Sequence, residues 1–489
     1  MPIKTTIPNL NLNKEDDTPL FQQAYQQLRD MILHGQLLPG SRLPASRTLA
    51  RQEQVARVTI MQAYEQLLAE GYVTSRQGAG TFVAEEIIDL HLDPTRASPI
   101  PPLTEWGQRV LAHQSSSPKS RARLEIDFGF GRSFSHIFPY DIWRRLLARY
   151  LSTDDIMLSR YGSVAGFNPL RQAVAAYLGR QRGVRCTPEQ VVIISGAQQA
   201  LDILARLLLS SNDEVLVESP GYRDAFTLFE VNGAKLVPLA VDDEGFPVEM
   251  IPQLCCARLA FVTPSHQFPR GGTLSLSRRL ALLEWAQEQN AYIIEDDYDS
   301  ELRYDGRPLA ALQGLDESGH VVYLGTFSKV LFPALRLGYA VLPPSLLKPF
   351  YNAKGLVDRG APTLTQAAVA DFISEGHFER HLRRLRKAYG ERRRALTAAL
   401  ETYLPGRVHY SPDPAGLHVM LYLHPSCSEE EVVHQASMAG VGVYPGAPYH
   451  LEKPAPPSIL LGYSGLNAEQ ITEGVLRLAV IIDAHSPAN

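Results

Sequence analysis

The sequence predicts a multi-domain chain: an N-terminal winged helix-turn-helix, then an α/β domain on a parallel sheet, with a smaller C-terminal subdomain. Three observations predict it. Residues 18–84 hold three stretches of helical apolar spacing, followed by two strand runs around a glycine-rich turn. Residues 85–123 are broken by Ser98-Pro99-Ile100-Pro101-Pro102 and Ser115-Ser116-Ser117-Pro118, which cannot sustain regular structure. From Ile126 onward, apolar strand runs alternate with amphipathic helices, the pattern of a parallel α/β sheet. A chain of 489 residues is also too long for one ordinary domain.

Residues 1–17 are polar, end in Glu15-Asp16-Asp17, and are expected to form a mobile arm. Thr18 suits an N-cap and Pro19 the first helical position. Leu20, Ala24, Leu28 and Ile32 then share one helical face until Leu38-Pro39-Gly40 stops the helix. A second helix is expected near Ala45–Glu53. A third, near Val58–Glu70, should bury Ile60, Tyr64, Leu67 and Leu68. Tyr72-Val73-Thr74-Ser75 and Thr81-Phe82-Val83 flank Arg76-Gln77-Gly78-Ala79-Gly80 and read as a hairpin, the wing.

Arg42, Arg47, Arg51 and Arg57 stand against Glu53 alone, a local basic cluster. Arg57, Val58 and Thr59 open the third helix, and the first residues of a recognition helix are those that reach base edges. Arginine forks suit guanine edges and phosphates, and Arg76 in the wing is within reach of a backbone or minor groove. Double-stranded DNA is the expected partner. In the linker, Trp106–His113 has room for a short helix.

In residues 124–489 the expected strands are 191–194, 214–217, 259–263, 291–295 and 321–324. A long helix near 377–400 carries Arg383, Arg384, Arg386 and Arg392–Arg394, read as a solvated face or a contact with DNA or a partner domain. Strand 321–324 runs into Gly325-Thr326-Phe327-Ser328-Lys329, with Arg336 seven residues beyond the lysine. A lone lysine among hydroxyls is an ordinary surface charge. A partly desolvated one loses its proton readily and forms a Schiff base with an aldehyde, while an arginine fork suits a phosphate. Thr326 and Ser328 add hydroxyls. Strand 291–295 ends in Glu295-Asp296-Asp297-Tyr298, where a carboxylate can keep a pyridine nitrogen protonated and a phenol can bond a ring oxygen. Aldehyde, phosphate and pyridine on one ligand describe pyridoxal 5'-phosphate (PLP).

Together these segments resemble the fold-type I aminotransferases. The resemblance implies that Lys329 holds PLP as an internal aldimine and that Arg336 binds its phosphate. It makes Asp296 and Tyr298 the residues that grip the ring. Asp296 lies 33 residues before Lys329, and its spacing to Tyr298 favours it over Asp297. Ser195-Gly196-Ala197-Gln198-Gln199, between a strand run and a helix, resembles the phosphate-cradling turn, with Ala197 and Gln198 at the anion. Tyr222, in Ser219-Pro220-Gly221-Tyr222, resembles the stacking aromatic. Tyr161-Gly162 with Gly166 resembles the segment that reaches the partner subunit's phosphate, so a homodimer is implied. The N-terminal region, through Arg42-Leu43-Pro44-Ala45-Ser46-Arg47 and the Glu70–Val83 hairpin, resembles the GntR winged-helix family. That resemblance makes Arg47, Arg57, Thr59 and Gly78 DNA contacts. Winged helix, linker and aminotransferase-like domain in this order resemble the MocR (GabR-like) transcriptional regulators.

Composition bounds the rest. The 45% hydrophobic and 20% charged residues are those of a soluble globular chain, and the net charge of −5 gives no global pull towards nucleic acid. Four cysteines make no disulfide framework at this length, and the adjacent Cys255-Cys256 lacks metal-ligand spacing. They are expected to be reduced and buried, and no metal is expected. Neither a signal peptide nor a membrane span is visible, so the expected location is cytoplasmic.

Two departures bear on activity. In Ser265-His266-Gln267-Phe268-Pro269-Arg270-Gly271-Gly272, Phe268 stands where aminotransferases carry the asparagine that bonds the ring oxygen. In Ser458-Ile459-Leu460-Leu461-Gly462-Tyr463, Leu460 stands where they carry the arginine that clamps the substrate carboxylate. Losing a bidentate clamp weakens amino-acid binding severalfold to hundreds-fold. The expected function is a PLP-dependent, DNA-binding regulator that senses a small-molecule effector at the Lys329 aldimine. An amine without a carboxylate, PLP itself, or an acid held by another arginine are the open effector classes. The alternative is a working aminotransferase that carries a DNA-binding module.

Overall fold

A computed structural model describes residues 8–85, 101–113, 124–130, 137–151, 159–252, 255–306, 309–453 and 455–485. The chain divides into two compact units, Met1–Pro102 and Leu103–Asn489.

The first unit is α1 (Leu20–Leu33), α2 (Ser46–Gln52), α3 (Arg57–Ala69) and a hairpin of β1 (Val73–Arg76) and β2 (Gly80–Val83). Ala24, Leu28 and Ile32 of α1 meet Leu49 of α2 and Ile60, Tyr64 and Leu67 of α3 in one core. Leu68 is a correction: at 44% exposure it lies off that core. Pro19, rather than Thr18, caps α1, and Thr18 accepts a hydrogen bond from Gln23 through its carbonyl. Residues 8–17 are not the free arm expected over 1–17. Leu10 is buried in the core, and the backbone amides of Asn11 and Asn13 donate to the Gln27 and Gln23 side chains. Residues 1–7 and most of the linker lie outside the described residues.

The second unit opens with α4 (Glu105–Ala112), whose first turn is capped by the Thr104 hydroxyl. Arg109 ties it to the Val231 carbonyl at 2.8 Å. β3 (Ile126–Asp127), α5 (Tyr140–Leu151) and α6 (Asn168–Arg182) lead to the main sheet. Its strands and helices are β4 (Val191–Ile194), α7 (Ala197–Leu208), β5 (Glu214–Ser219), α8 (Arg223–Val231), β6 (Lys235–Ala240), β7 (Leu259–Val262), α9 (Leu276–Glu288), β8 (Tyr292–Asp297), β9 (Val321–Thr326) and β10 (Gly338–Val341).

The seven strands lie in the order β4-β10-β9-β8-β7-β5-β6, and their helices cover both faces with buried Val, Ile, Leu and Phe. β10 corrects the all-parallel expectation, since it runs antiparallel to both β4 and β9. Only residues 327–337 separate it from β9, too few for the helical crossover a parallel return needs. The reversal places Lys329 and Arg336 in one tight connection. It also leaves the carboxyl ends of the other six strands together at one edge.

α10 (Pro344–Val357), α11 (Thr363–Ser374) and the long α12 (His377–Tyr403) lead to the smaller subdomain. There β11 (His418–Tyr422), β13 (Tyr444–Pro445) and β14 (Ser458–Gly462) form a three-stranded sheet, and β12 (Val441–Gly442) pairs with β3. α13 (Glu429–Met438) and α14 (Ala468–His485) pack over them. The arginines of α12 are not one solvated face. Arg383, Arg384 and Arg394 are exposed, but Arg392 and Arg393 are buried and bond the carbonyls of Ser464, Ser411 and Asp413. Cys256 is likewise exposed rather than buried. Among the described residues no helix is long and apolar enough to cross a membrane, and no cluster is placed to hold a metal ion.

Candidate functional site

The carboxyl edge of the main sheet opens into one cavity. Ala197, Gln198, Tyr222, Asp296, Tyr298, Thr326, Ser328, Lys329 and Arg336 all line it, together with Gly196, Phe130, Thr263 and Phe268. Six segments far apart in sequence thus converge there, as strand ends of an open α/β sheet do around ligands.

The turn that presents Lys329 is pinned from below. Phe327, Val330 and Leu331 are buried in the core. The Phe327 amide donates to the Leu337 carbonyl at 3.1 Å, and the His381 ring nitrogen bonds the Val330 carbonyl at 2.8 Å. Lys329 is left to face the cavity, with Nζ 4.5 Å from the centroid of the Phe130 ring. Burial holds its pKa below the usual lysine value, although Asp299 and Asp296 pull it upward. An amine so placed is more often unprotonated and nucleophilic.

Asp296 is pushed up to about 7, first by burial and next by the charge of Asp297, with Lys329 opposing. Successive strand residues face opposite sides, so Asp296 and Asp297 cannot both meet the cavity. Asp297 turns away into a buried pair with Arg182 at 2.8 Å, and Tyr323 donates to it at 2.5 Å. Removing one partner of such a pair generally costs about 3–5 kcal/mol.

At the other end, Gly196 precedes α7 with φ of +118°, and a Cβ there would lie 3.3 Å from the Arg336 guanidinium. Glycine keeps the first amides of α7 and the arginine close together. Free amides at a helix start, an arginine fork and two hydroxyls form a site suited to a phosphate. Gln199 stiffens the turn: it accepts from the Ser195 amide at 2.9 Å and donates to Asp358 at 2.7 Å. Tyr222 receives a hydrogen bond from Gln198 at 3.2 Å, and burial keeps its phenol protonated. The chemistry of the donor set fits PLP: a buried amine, a cavity-facing carboxyl, a phenol and an anion cradle.

Phe268 reaches the cavity wall, with its ring centroid 5.2 Å from Phe130 and 5.7 Å from Tyr298. Its amide donates to Thr263 Oγ1 at 3.0 Å, and that hydroxyl donates to the buried Glu218 at 2.5 Å. Leu460 is fully buried on β14 between Met420 and Tyr444 and does not line the cavity. Tyr161 is 86% exposed and lies off the cavity of its own chain. Sequence reasoning missed Phe130 and Thr263. Thr263 follows β7 directly, so the strand-end rule had a signal for it; Phe130 gives none.

In the first unit, Arg47 on α2 and Arg57 at the start of α3 are exposed, with Arg57 Nε 3.4 Å from the Ser46 hydroxyl. Val58 is exposed and Thr59 half-buried. Gly78 sits in the hairpin turn with φ of +75° and open space around it. Arg76 is already engaged, bonded to Glu85 at 3.1 Å and lying over the Phe82 ring.

Two family models match the chain: bacterial regulatory proteins, gntR family, over residues 20–83, and aminotransferase class I and II over residues 109–478. The probable rhizopine catabolism regulatory protein MocR of Rhizobium meliloti is 39% identical over 470 residues, which cover 95% of this chain and 94% of that protein. The chain belongs to the MocR subfamily of GntR-type transcriptional regulators. Another MocR-type relative, the pyridoxine biosynthesis transcriptional regulator PdxR of Corynebacterium glutamicum, is 31% identical and covered over 84% of both chains. Among solved structures, the kynurenine aminotransferase of Pyrococcus horikoshii superposes with a TM-score of 0.73 at 29% identity, over 78% of this chain and 97% of its own. LysN, the α-aminoadipate aminotransferase of Thermus thermophilus, gives 0.68 at 31% identity, over 73% and 92%. This MocR-type chain therefore joins a winged helix-turn-helix to a fold-type I aminotransferase domain.

Proposed function

We propose that this MocR-type chain is a PLP-dependent regulator that binds operator DNA through its winged helix and senses a small amine or PLP itself in the Lys329 cavity. Lys329 would hold the cofactor covalently, with Asp296 and Tyr298 at its ring, Tyr222 stacked on it, and Ala197, Gln198, Thr326, Ser328 and Arg336 at its phosphate. When bound, PLP supplies an aldehyde that captures amines and a ring that draws electrons from the captured carbon. Tyr161 of the partner subunit would complete the phosphate site. Arg47, Arg57, Thr59 and Gly78 would meet the DNA.

The observation that carries the sensor reading is Leu460. The cavity keeps Lys329, Asp296, Tyr298 and Arg336 on its wall, yet the residue at the expected carboxylate-clamping position is an apolar side chain buried within β14. Without that clamp an α-amino acid is not held with its Cα–H bond perpendicular to the ring, where the electron sink acts. Effector binding changes DNA affinity only if the two arrangements of the chain differ in their affinity for effector. The name of the PdxR relative supports keeping PLP itself among the effectors, and an acid held by another arginine remains a third class.

The test mixes holoprotein with a panel of amines, amino acids and an oxo-acid acceptor while following the visible spectrum and product. Lys329→Ala should abolish the borohydride-reducible adduct. Leu460→Arg should increase the spectral response to α-amino acids. Rapid multiple turnover by the parent protein would promote the aminotransferase reading instead.

A further inference from the structure

Tyr298 does not stand alone at the cavity wall. Its hydroxyl lies 3.0 Å from Nδ1 of His266, and the same nitrogen is 3.1 Å from both carboxylate oxygens of Asp299. His266 and Asp299 are buried, and neither lines the cavity. An unprotonated Nδ1 would point its lone pair at the carboxylate, so the proton sits on Nδ1 and is shared between Asp299 and the Tyr298 oxygen. The tyrosine oxygen therefore accepts on this side. Its own proton, retained because burial holds the phenol well above its usual range, is free to point elsewhere.

We propose that His266, backed by Asp299, is a positioning residue that fixes Tyr298 as a hydrogen-bond donor towards the ring hydroxyl oxygen of PLP. The inference rests on the reading that PLP occupies the cavity. Phe268 brings no polar side-chain atom to the place where aminotransferases carry an asparagine donor. Tyr298 is then the remaining donor on that side, and its polarity matters more.

The surroundings hold the imidazole in place. Gly416 has φ of +81°, and a Cβ there would collide with His266 Cε1 and lie 3.0 Å from Asp299 Oδ2. Burial opposes protonation of His266, but Asp299 outweighs it and holds the imidazole pKa above its usual value, with Asp413 adding to the rise and Arg393 opposing it. The His418 ring is 5.7 Å away, and Arg182 reaches the adjacent Ser265 hydroxyl at 2.6 Å. None of these other groups is hydrogen-bonded to Nδ1.

The experiment reconstitutes the full chain with PLP and titrates its visible band against pH. A donor to the ring oxygen withdraws electron density and weakens that oxygen's hold on the proton of the neighbouring lysine–cofactor nitrogen. Loss of the donor must raise the midpoint. His266→Ala should shift it upward by on the order of one pH unit. His266→Asn, whose amide N–H can replace Nδ1–H, should stay close to the parent. Tyr298→Phe should shift at least as far, and His266→Ala should add little in that background. Should His266→Ala fail to fold, His266→Phe, which fills the same space without an Nδ1–H, is read in the same way, again expecting an upward shift. A His266→Ala protein that keeps the band and titrates with the parent overturns the inference, as does a shift that adds in full to that of Tyr298→Phe. Absence of the band in the parent would instead remove the PLP reading beneath it.

Discussion

His381 illustrates how one side chain outside the cavity supports the site. It is buried among Phe138 and Phe372, bonds the carbonyl of Val330 next to Lys329, and leaves Nδ1 without a partner. Burial lowers its pKa from 6.5 to about 4. The unfolded chain therefore binds the proton first as pH falls, and stability rises with pH between those values. The contribution is intact above 6.5 and lost progressively down to about 4, in total roughly 3 kcal/mol at 1.36 kcal/mol per unit. Denaturant midpoints of the parent should fall across that window more steeply than those of His381→Gln. Parallel pH profiles would show that the imidazole is already protonated in the native state.

Among the elements, α3 and its hairpin carry the DNA prediction. The first turn of α3 presents Arg57 and Val58 to solvent, while Ile60, Tyr64 and Leu67 fix the helix from behind. The exposed residues are therefore held in a defined direction. Arg47→Ala and Arg57→Ala should each weaken operator binding by about 1–3 kcal/mol if the contact is to a base edge. If it is to phosphate, the loss should be uniform across sequences and the salt slope should fall by about one. The PLP spectrum should not change in either variant. Unaltered gel-shift titrations at fixed salt would argue against this face.

At the scale of the molecule, the second unit exposes apolar side chains beside its proposed subunit-bridging loop. Tyr161 is 86% and Leu356 90% exposed, and Val357 is exposed as well. Gly355 and Gly360 approach Val164 and Ser163, so the end of α10 lies against the loop that follows Tyr161. A second copy covering these residues would remove them from water and bring Tyr161 to its partner's cavity. Deleting residues 1–84 should leave a dimer in sedimentation. A monomeric truncated protein would remove the shared phosphate site from the proposal.

The sequence by itself determined what local spacing and strand-end chemistry can encode. Lys329 and Arg336 share one short connection, Asp296 and Tyr298 share one strand end, and Ala197 opens a helix after Gly196. The periodicity of α1 and α3 and the glycine turn at Gly78 likewise lie within single segments, where backbone preferences act. Tertiary structure decided the rest. β10 reversed direction because its connection is too short to cross over. Arg182 drew Asp297 away from the cavity, Leu10 found the core of the first unit, and Arg392 and Arg393 found buried carbonyls. Phe130 reached Lys329 across 199 residues of sequence, and His266 reached Tyr298 from another loop. Such contacts depend on which surfaces meet when the sheet closes over its helices. No periodicity within one segment contains that information, because it belongs to the packing of several.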